Sequence, residues 1–512
     1  MASIVKSFAI SGVEGYLVDV EIKEIYGQPM ISIVGLGDTA VKEARERVEA
    51  AINDCNYTFP EKKIVINLAP SDLKKSGSHF DLAMALGLLI ETGQINSAKF
   101  EEFAYVGELS LNARLRSSVG ILPMAIAAKK AGLQNVIVPL ENVQEASLVK
   151  GIHVYGFDSL REVIEFLENR RDYVPERHDI HVEFTDALYK PDFKDVQGQD
   201  ILIENVVIAA AGGHNLLMIG SPGCGKSMIA QRIPTILPRM TDEESLEVTK
   251  IYSVAGGLRK NGGLIVDRPF RAPHHNASTN SLIGGGNDAT PGEISLAHNG
   301  ILFLDEIAEF SKRTLESLRQ PMEDQKVTIS RVKHSNTYPS SFMLVAAMNP
   351  CPCGYYGNEK CKCSDYEVLK YRQKISGPIM DRMDIQKYVQ QVDFMDLSNY
   401  ALGKTSKELR ERVKFSREIQ NKRFEDIVGV NCNAQMNNAL IKEFCHIEAE
   451  GQRLLQLAYE RFKYSARTFH KYLKVARTFA DMEGSAKIRK RDIASALMSR
   501  DLEKDRAHMA VI

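Results

Sequence analysis

Eight consecutive residues carry the clearest chemistry in this sequence: Gly220, Ser221, Pro222, Gly223, Cys224, Gly225, Lys226 and Ser227. They match the pattern G-x-x-x-x-G-K-[ST], in which a glycine-rich backbone cradles phosphate groups. Glycine has no Cβ, so the N–H groups of such a loop can turn inward around an anion. The N-terminus of a following helix adds partial positive charge at the same place. Lys226 would reach the β- and γ-phosphates of a nucleoside triphosphate, and the Ser227 hydroxyl would ligate Mg2+. Cys224 is a spacer in the loop rather than a nucleophile. The flanks agree, because the apolar run 215–219 precedes the loop and the helical run 228–233 follows it.

A second group of residues complements the first. Residues 301–304 are four apolar residues, closed by Asp305 and Glu306. A buried parallel strand ends there, and ligands of α/β sheets bind at that end. Asp305 would hold Mg2+ through water, and Glu306 would polarise an attacking water. Another apolar strand, residues 342–348, ends in Asn349, which could hydrogen-bond that water or the γ-phosphate. This order of a phosphate loop, an apolar strand with two carboxylates and a strand tipped by Asn resembles the AAA+ ATPases. In that frame Asp305 and Glu306 read as Walker B and Asn349 as sensor 1. Val196 to Gln199 resembles the short segment whose backbone frames adenine in many of these proteins, with Val196 at its head. Residues 376–384, SGPIMDRMD, resemble a segment of magnesium-chelatase and MCM-type ATPases in which the arginine acts on the neighbouring subunit; here that is Arg382. Ser465, Ala466 and Arg467 resemble the sensor 2 motif of the same clade, so Arg467 is expected at a γ-phosphate.

Three further features lie around this core. Residues 326–338 alternate as a hairpin does and carry Lys326, Arg331, Lys333 and His334. Such a hairpin projects into the central channel in the resembling clade, where positive side chains would track a phosphate backbone; an ordinary basic hairpin is the alternative. Cys351, Cys353, Cys361 and Cys363 form C-x-C…C-x-C with seven residues between the pairs. Four thiolates can close a tetrahedral Zn2+ site, against the alternative of free thiols. Cys55, Cys432 and Cys445 read as core residues. His274 and His275 fall in a long insertion, residues 255–299, and read as structural hydrogen-bonding groups because no nearby ligand set completes a metal site.

The whole chain bounds these assignments. Its 512 residues predict about three domains. A net charge of −1 means that any nucleic-acid surface must be local. Residues 1–6 lack a charged stretch leading into a long apolar core, and no apolar run approaches the ~18 residues of a membrane span. A cytoplasmic protein is the expectation.

Fold class reads as α/β multidomain, with an α+β N-terminal domain, a P-loop α/β core and an all-α C-terminal lid. Strands are predicted at 8–21, 31–34, 64–68 and 135–139, and helices at 39–51, 81–91 and 124–131. Residues 107–139 in this order resemble the proteolytic domain of Lon, which needs a Ser nucleophile and a Lys base. Ser78 lies near the nucleophile position, but Leu122 occupies the lysine position and cannot accept a proton. Residues 1–165 are therefore expected to be a Lon-like domain without the catalytic dyad, serving partner binding, nucleic-acid binding or assembly. The pairs at 62–63 and 74–75 read as a solvated basic face. Residues 166–192 are charge-rich and patternless, the expected linker. The AAA+ core spans 193–392, and helical periodicity through 393–512 predicts the lid.

With RPFRAPHH at 268–275, MNPCPCG at 348–354 and SARTFHKYLKVARTFAD at 465–481, the chain is identified as a member of the YifB/ComM family of magnesium-chelatase-like proteins. The resemblance implies ATP and Mg2+ as cofactors and a hexameric ring. It implies an ATP hydrolase acting on DNA, a helicase promoting branch migration in natural transformation. A chelatase-type motor remodelling a protein partner and an ATP-dependent protease are the other readings.

Overall fold

The structure is a computed structural model and describes residues 2–73, 75–96, 99–176, 191–258, 263–286, 289–331, 334–391 and 403–502. Lys74, Lys333 and most of the expected linker lie outside the described residues, as do positions 393–402 and 503–512 of the expected lid.

The centre is a five-stranded parallel sheet. Its strands lie side by side as Phe270–Arg271, Ile301–Leu304, Met343–Met348, Leu216–Ile219 and Ile385–Tyr388. Leu216 stands opposite both Val345 and Ile385, and Leu302 opposite Leu344. Strands buried on both faces are expected to be continuously apolar, and every residue of Leu216–Ile219, Ile301–Leu304 and Met343–Met348 is buried. Alternate side chains enter two separate cores. Leu216, Met218, Phe303 and Val345 pack into one, while Leu217, Ile219, Leu302 and Leu344 pack into the other.

The first of these cores also takes in the C-terminal helices. Ser406–Arg423, Ala449–Phe462, Ala466–Met482 and Lys490–Met498 contribute Leu409, Val413, Leu455, Tyr472, Ile493 and others to it. The helical region thus shares one hydrophobic core with a face of the sheet.

The N-terminal region carries a four-stranded sheet ordered Ser3–Ser11, Glu14–Ile25, Lys63–Ala69, Met30–Val34. The strand predicted over 8–21 is two strands of a hairpin, turned at Gly12, whose φ of +62° only glycine adopts freely. Helix Asp81–Glu91 has the bounds predicted for it and is buried over nine consecutive residues. Burial of each of Leu82, Met84, Leu86, Leu88 and Leu89 contributes about 1.5–3 kcal/mol. Lys75 corrects the expectation of a solvated basic pair: it is wholly buried and donates to the Leu73 carbonyl at 2.8 Å.

This region is tied to the sheet domain through helix Asp242–Val254. Ser253 Oγ donates to Glu145 Oε1 at 2.5 Å, and the same oxygen accepts from the Leu122 backbone N–H at 2.9 Å. Burial pushes the Glu145 carboxyl above its ordinary range, opposed by these donors. Gly12 sits against Thr337, where an added Cβ would lie 3.1 Å from the Thr337 carbonyl oxygen.

Candidate functional site

The phosphate loop leaves the C-terminal end of Leu216–Ile219 and enters helix Lys226–Ile236. Gly223 and Gly225 have φ of +77° and +88°, left-handed values that would strain any side chain. At Gly220 the limit is space. An added Cβ would lie 2.7 Å from Cys224 Sγ and 2.8 Å from the Val389 carbonyl. Lys226 Nζ donates to the carbonyls of Gly220 at 2.6 Å and Ser221 at 2.9 Å, and lies 3.4 Å from Asn349 Oδ1. Its ammonium is curled over the mouth of the loop, where a phosphate oxygen would offer a stronger, charged acceptor. Val196 is buried in the same core as Cys224, while Gln199 donates to the Gln390 carbonyl at 2.7 Å beside the loop strand.

Ser227 Oγ donates to Asp305 Oδ2 at 2.5 Å. Two hard oxygen ligands, one from the helix and one from the end of strand Ile301–Leu304, therefore meet at the first turn of the helix, a donor set suited to Mg2+. Asp305 Oδ1 accepts from the Glu306 backbone N–H at 3.0 Å. Glu306 has φ of +50°, a left-handed conformation that costs a non-glycine residue about 1–3 kcal/mol. This turn aims its carboxylate out of the strand end, half exposed. His275 Nδ1 lies 3.4 Å from Glu306 Oε2. His275 was expected to be structural; its position follows from strand Phe270–Arg271, which sits beside strand Ile301–Leu304. Asn349 completes this end of the sheet, one strand over.

Arg382 lies elsewhere. Asn215, at the opposite end of the loop strand, donates through Nδ2 to the Arg382 carbonyl at 3.0 Å and accepts from Leu344 N–H at 2.8 Å. Strands rise about 3.3 Å per residue, so roughly 16 Å separate Asn215 from Gly220 at the start of the loop. The Arg382 guanidinium donates to the Pro378 carbonyl at 2.7 Å and pairs with Glu323. It borders a cavity of about 440 Å3 that Arg268, Arg417, Lys471 and Lys474 also line. Glu244, Glu323 and Asp384 share this lining and pair with Arg268, Arg382 and Lys471, and the cavity is at the N-terminal edge of the sheet, whereas the phosphate loop is at the C-terminal edge.

Arg467 is on the Arg382 side too. Its helix runs along the N-terminal edge, with Lys471 Nζ 3.4 Å from Asp384 Oδ1 and Thr478 Oγ1 2.8 Å from His214 Nε2. Arg467 precedes Lys471 by one turn on the same face and is exposed. Burial would raise the Asp384 carboxyl, but Lys471 and His214 outweigh it and hold the group well below the usual range. Burial pulls Lys471 down to about 8.

The hairpin predicted at 326–338 is formed by Lys326–Arg331 and His334–Pro339, with Arg331 opposite His334. Val327, Ile329 and Tyr338 face the core. Lys326 is exposed, as are Thr328, Ser330, Ser335 and Thr337, whose hydroxyls pair across the strands. Lys333 lies outside the described residues.

The four clustered cysteines bring their sulfurs within 4.8 Å of one another. Cys55, Cys432 and Cys445 are buried core residues. In the N-terminal region Ser78 Oγ donates to Glu108, and Leu122 is wholly buried. The basic run at 487–491 is neutralised locally, Arg489 by Asp492, Lys490 by Glu450 and Arg491 by Glu483. No helix among the described residues is long and apolar enough to cross a membrane.

Comparison with known proteins adds family information. Residues 192–397 match the family model "Magnesium chelatase, subunit ChlI", residues 18–142 match "Subunit ChlI of Mg-chelatase", and residues 403–500 match the ChlI C-terminal model. The chain is 39% identical over 499 residues to the competence protein ComM of Haemophilus influenzae, covering 97% of this chain and 96% of that one. It is 40% identical over 513 residues to YifB of Escherichia coli, covering 99% and 98%. A shorter match, 27% identical over 183 residues, joins it to the Lon protease of Haemophilus influenzae and covers 32% of this chain and 22% of that protein.

Proposed function

This chain belongs to the YifB/ComM family of magnesium-chelatase-like AAA+ proteins, and from that premise we propose that it is a ring-forming, ATP-driven DNA translocase. The observation that carries the reading is the separation of Lys226 and Arg382 on opposite edges of one sheet. A subunit would hold phosphate at one edge and presents Arg382, in a cavity of paired charges, at the other. Stacking such subunits head to tail brings the second edge of one against the first edge of the next. Heterologous contacts of this kind close into a ring when the rotation from one subunit to the next closes.

Within the joint site, Lys226 turns from the Gly220 and Ser221 carbonyls to the phosphates. Ser227 and Asp305 would hold Mg2+, which supplies charge neutralisation at the β/γ-oxygens. Glu306 orients the attacking water and takes its proton, while Asn349 fixes the water from the adjacent strand. Arg382 leaves Glu323 and, with Arg467, reaches the neighbour's γ-phosphate to stabilise transition-state charge. Six subunits, as in the resembling clade, would present six hairpins to a central channel. Lys326, Arg331, Lys333 and His334 then follow a DNA backbone, and the exposed hydroxyl pairs Thr328–Thr337 and Ser330–Ser335 lie on the same face of the hairpin as Lys326. Kinship with ComM supports a role in competence, with branch migration during recombination as the specific activity. The N-terminal domain is Lon-like without the dyad. Support comes from Leu122, which cannot serve as a base and whose backbone N–H instead serves the Glu145 tie to the ATPase domain, a role in assembly rather than peptide hydrolysis.

The test is ATP turnover with and without single-stranded and branched DNA, in wild type and in the charge reversals Arg331→Glu and Lys333→Glu. DNA stimulates turnover in the wild type, and the reversals weaken DNA binding with a shallower salt dependence. If DNA leaves turnover unchanged and the reversals leave binding unchanged, a chelatase-type motor remodelling a protein partner replaces this reading.

A further inference from the structure

The segment between Asn349 and helix Asp365–Arg372 has neither helix nor strand. Its internal backbone bonds are few, among them Gly354 N–H to Cys351 O at 3.0 Å and Cys361 N–H to Asn358 O at 2.9 Å. Irregular loops of this length are usually functional or held by something other than their own hydrogen bonds. This one brings four sulfurs together. Cys351 and Cys353 are 3.3 Å apart, Cys351 and Cys361 3.8 Å, and Cys353 and Cys361 3.6 Å. Four sulfurs at 2.3 Å from one tetrahedral Zn2+ stand about 3.8 Å from each other. The spacing is that of ligands around a common centre.

Where the loop lies gives the site a consequence for hydrolysis. Gly354, at φ of +86°, packs so closely on the phosphate loop that an added Cβ would meet Pro222 Cδ at 2.7 Å. Cys351 is wholly buried two residues after Asn349. On the far side, Ser364 caps helix Asp365–Arg372, and just past that helix Lys374 pairs with Glu309 at 3.1 Å, three residues beyond Glu306. The cysteine loop therefore touches the phosphate loop, follows sensor 1 directly and leads to the Walker B turn.

We propose that Cys351, Cys353, Cys361 and Cys363 bind one Zn2+ as a closed structural centre that presses Gly354 against Pro222 and so keeps the phosphate loop and Asn349 in register for hydrolysis. The four thiols lose their protons on binding, leaving a centre of net charge about −2 with no open coordination position. It takes no part in the chemistry of ATP. The coupling half of the proposal rests on the ATP-binding reading above; the metal half does not.

The experiment uses the full-length protein. Elemental analysis finds one zinc per chain, and Co2+ exchanged into the site gives thiolate-to-cobalt charge transfer and tetrahedral d–d bands. The double variant Cys361→Ser/Cys363→Ser loses the metal, whereas Cys55→Ser keeps it. Without the metal, turnover falls about tenfold or more, because small displacements of a catalytic group cost that much. Release of zinc by a mercurial is slower with Mg-ATP than without. Protein without zinc and without the cobalt spectrum, or with these cysteines in disulfides by thiol count, overturns the metal site. If the double variant does not fold, the wild-type cobalt spectrum and release rates still decide. Metal release equal with and without nucleotide, in protein shown separately to bind a fluorescent ATP analogue, overturns the coupling. A protein that binds no analogue fails the ATP reading and leaves the metal result standing.

Discussion

At the scale of single residues, Glu306 is the most constrained group in the site. It is held in a left-handed turn, tethered through its own N–H to Asp305, and faced by His275 at 3.4 Å. The carboxylate proposed to orient water is here approached by an imidazole from the turn that follows the neighbouring strand. Removing that contact leaves Glu306 free to meet water before any neighbour or DNA has arrived. His275→Ala is therefore expected to raise DNA-independent ATP turnover a few-fold and to shrink the ratio of stimulated to basal rate. Steady-state turnover with and without DNA measures both. A variant with unchanged basal rate and unchanged stimulation would show that the contact does not restrain Glu306.

At the scale of elements, one parallel sheet separates the phosphate loop from Arg382. The strands bring Lys226, Asp305 and Asn349 together at their C-terminal ends, and Asn215 pins the Arg382 backbone at the opposite ends. Lys226→Ala and Arg382→Ala should each abolish turnover, but for different reasons. The first loses nucleotide affinity, while the second retains a bound fluorescent ATP analogue and loses about 10³-fold or more in rate, as expected of an arginine finger. Mixing the two inactive variants should restore activity, because a Lys226 from one subunit can face an Arg382 from another. Absence of any recovery across mixing ratios, with mixed assembly verified, would place both residues in the same subunit's site.

At the scale of the whole molecule, the helical region and the sheet share one core, and the seam between them is electrostatic at the N-terminal edge. Asp384 lies among Lys471, His214 and the Asn215 N–H. Its folded-state pKa lies below the unfolded value near 3.9. The stabilisation is therefore fully present above that pH and is lost as pH falls through the folded value. Lys471, pulled down to about 8, titrates far above that window. Asp384→Asn leaves a buried lysine without its partner and is expected to lower stability by about 3 kcal/mol at neutral pH. The difference between variant and wild type should narrow as pH falls below about 4. Thermal unfolding midpoints across pH measure this, and a gap that stays constant into acid would remove Asp384 as its cause.

Local chemistry was legible in the chain itself. Residues 220–227 carry their own backbone geometry, because glycine at 223 and 225 and a helix start at Lys226 are set by neighbours in sequence. The apolar strand closed by Asp305 and Glu306 and the helix Asp81–Glu91 were readable for the same reason, since burial on all sides leaves a continuous apolar run. Contacts between distant residues were not legible. His275 reaches Glu306 only because two strands pair, and Gly354 meets Pro222 only because the cysteine loop folds back over the phosphate loop. Lys75, read as solvated, is buried because its loop is drawn in beside the first sheet. The sequence by itself determined that this protein has a phosphate loop, a pair of carboxylates to work beside it and an arginine of the right motif. The tertiary structure decided that loop and arginine lie on opposite edges of one sheet. Motif residues are governed by local stereochemistry, whereas an edge exists only once strands have packed.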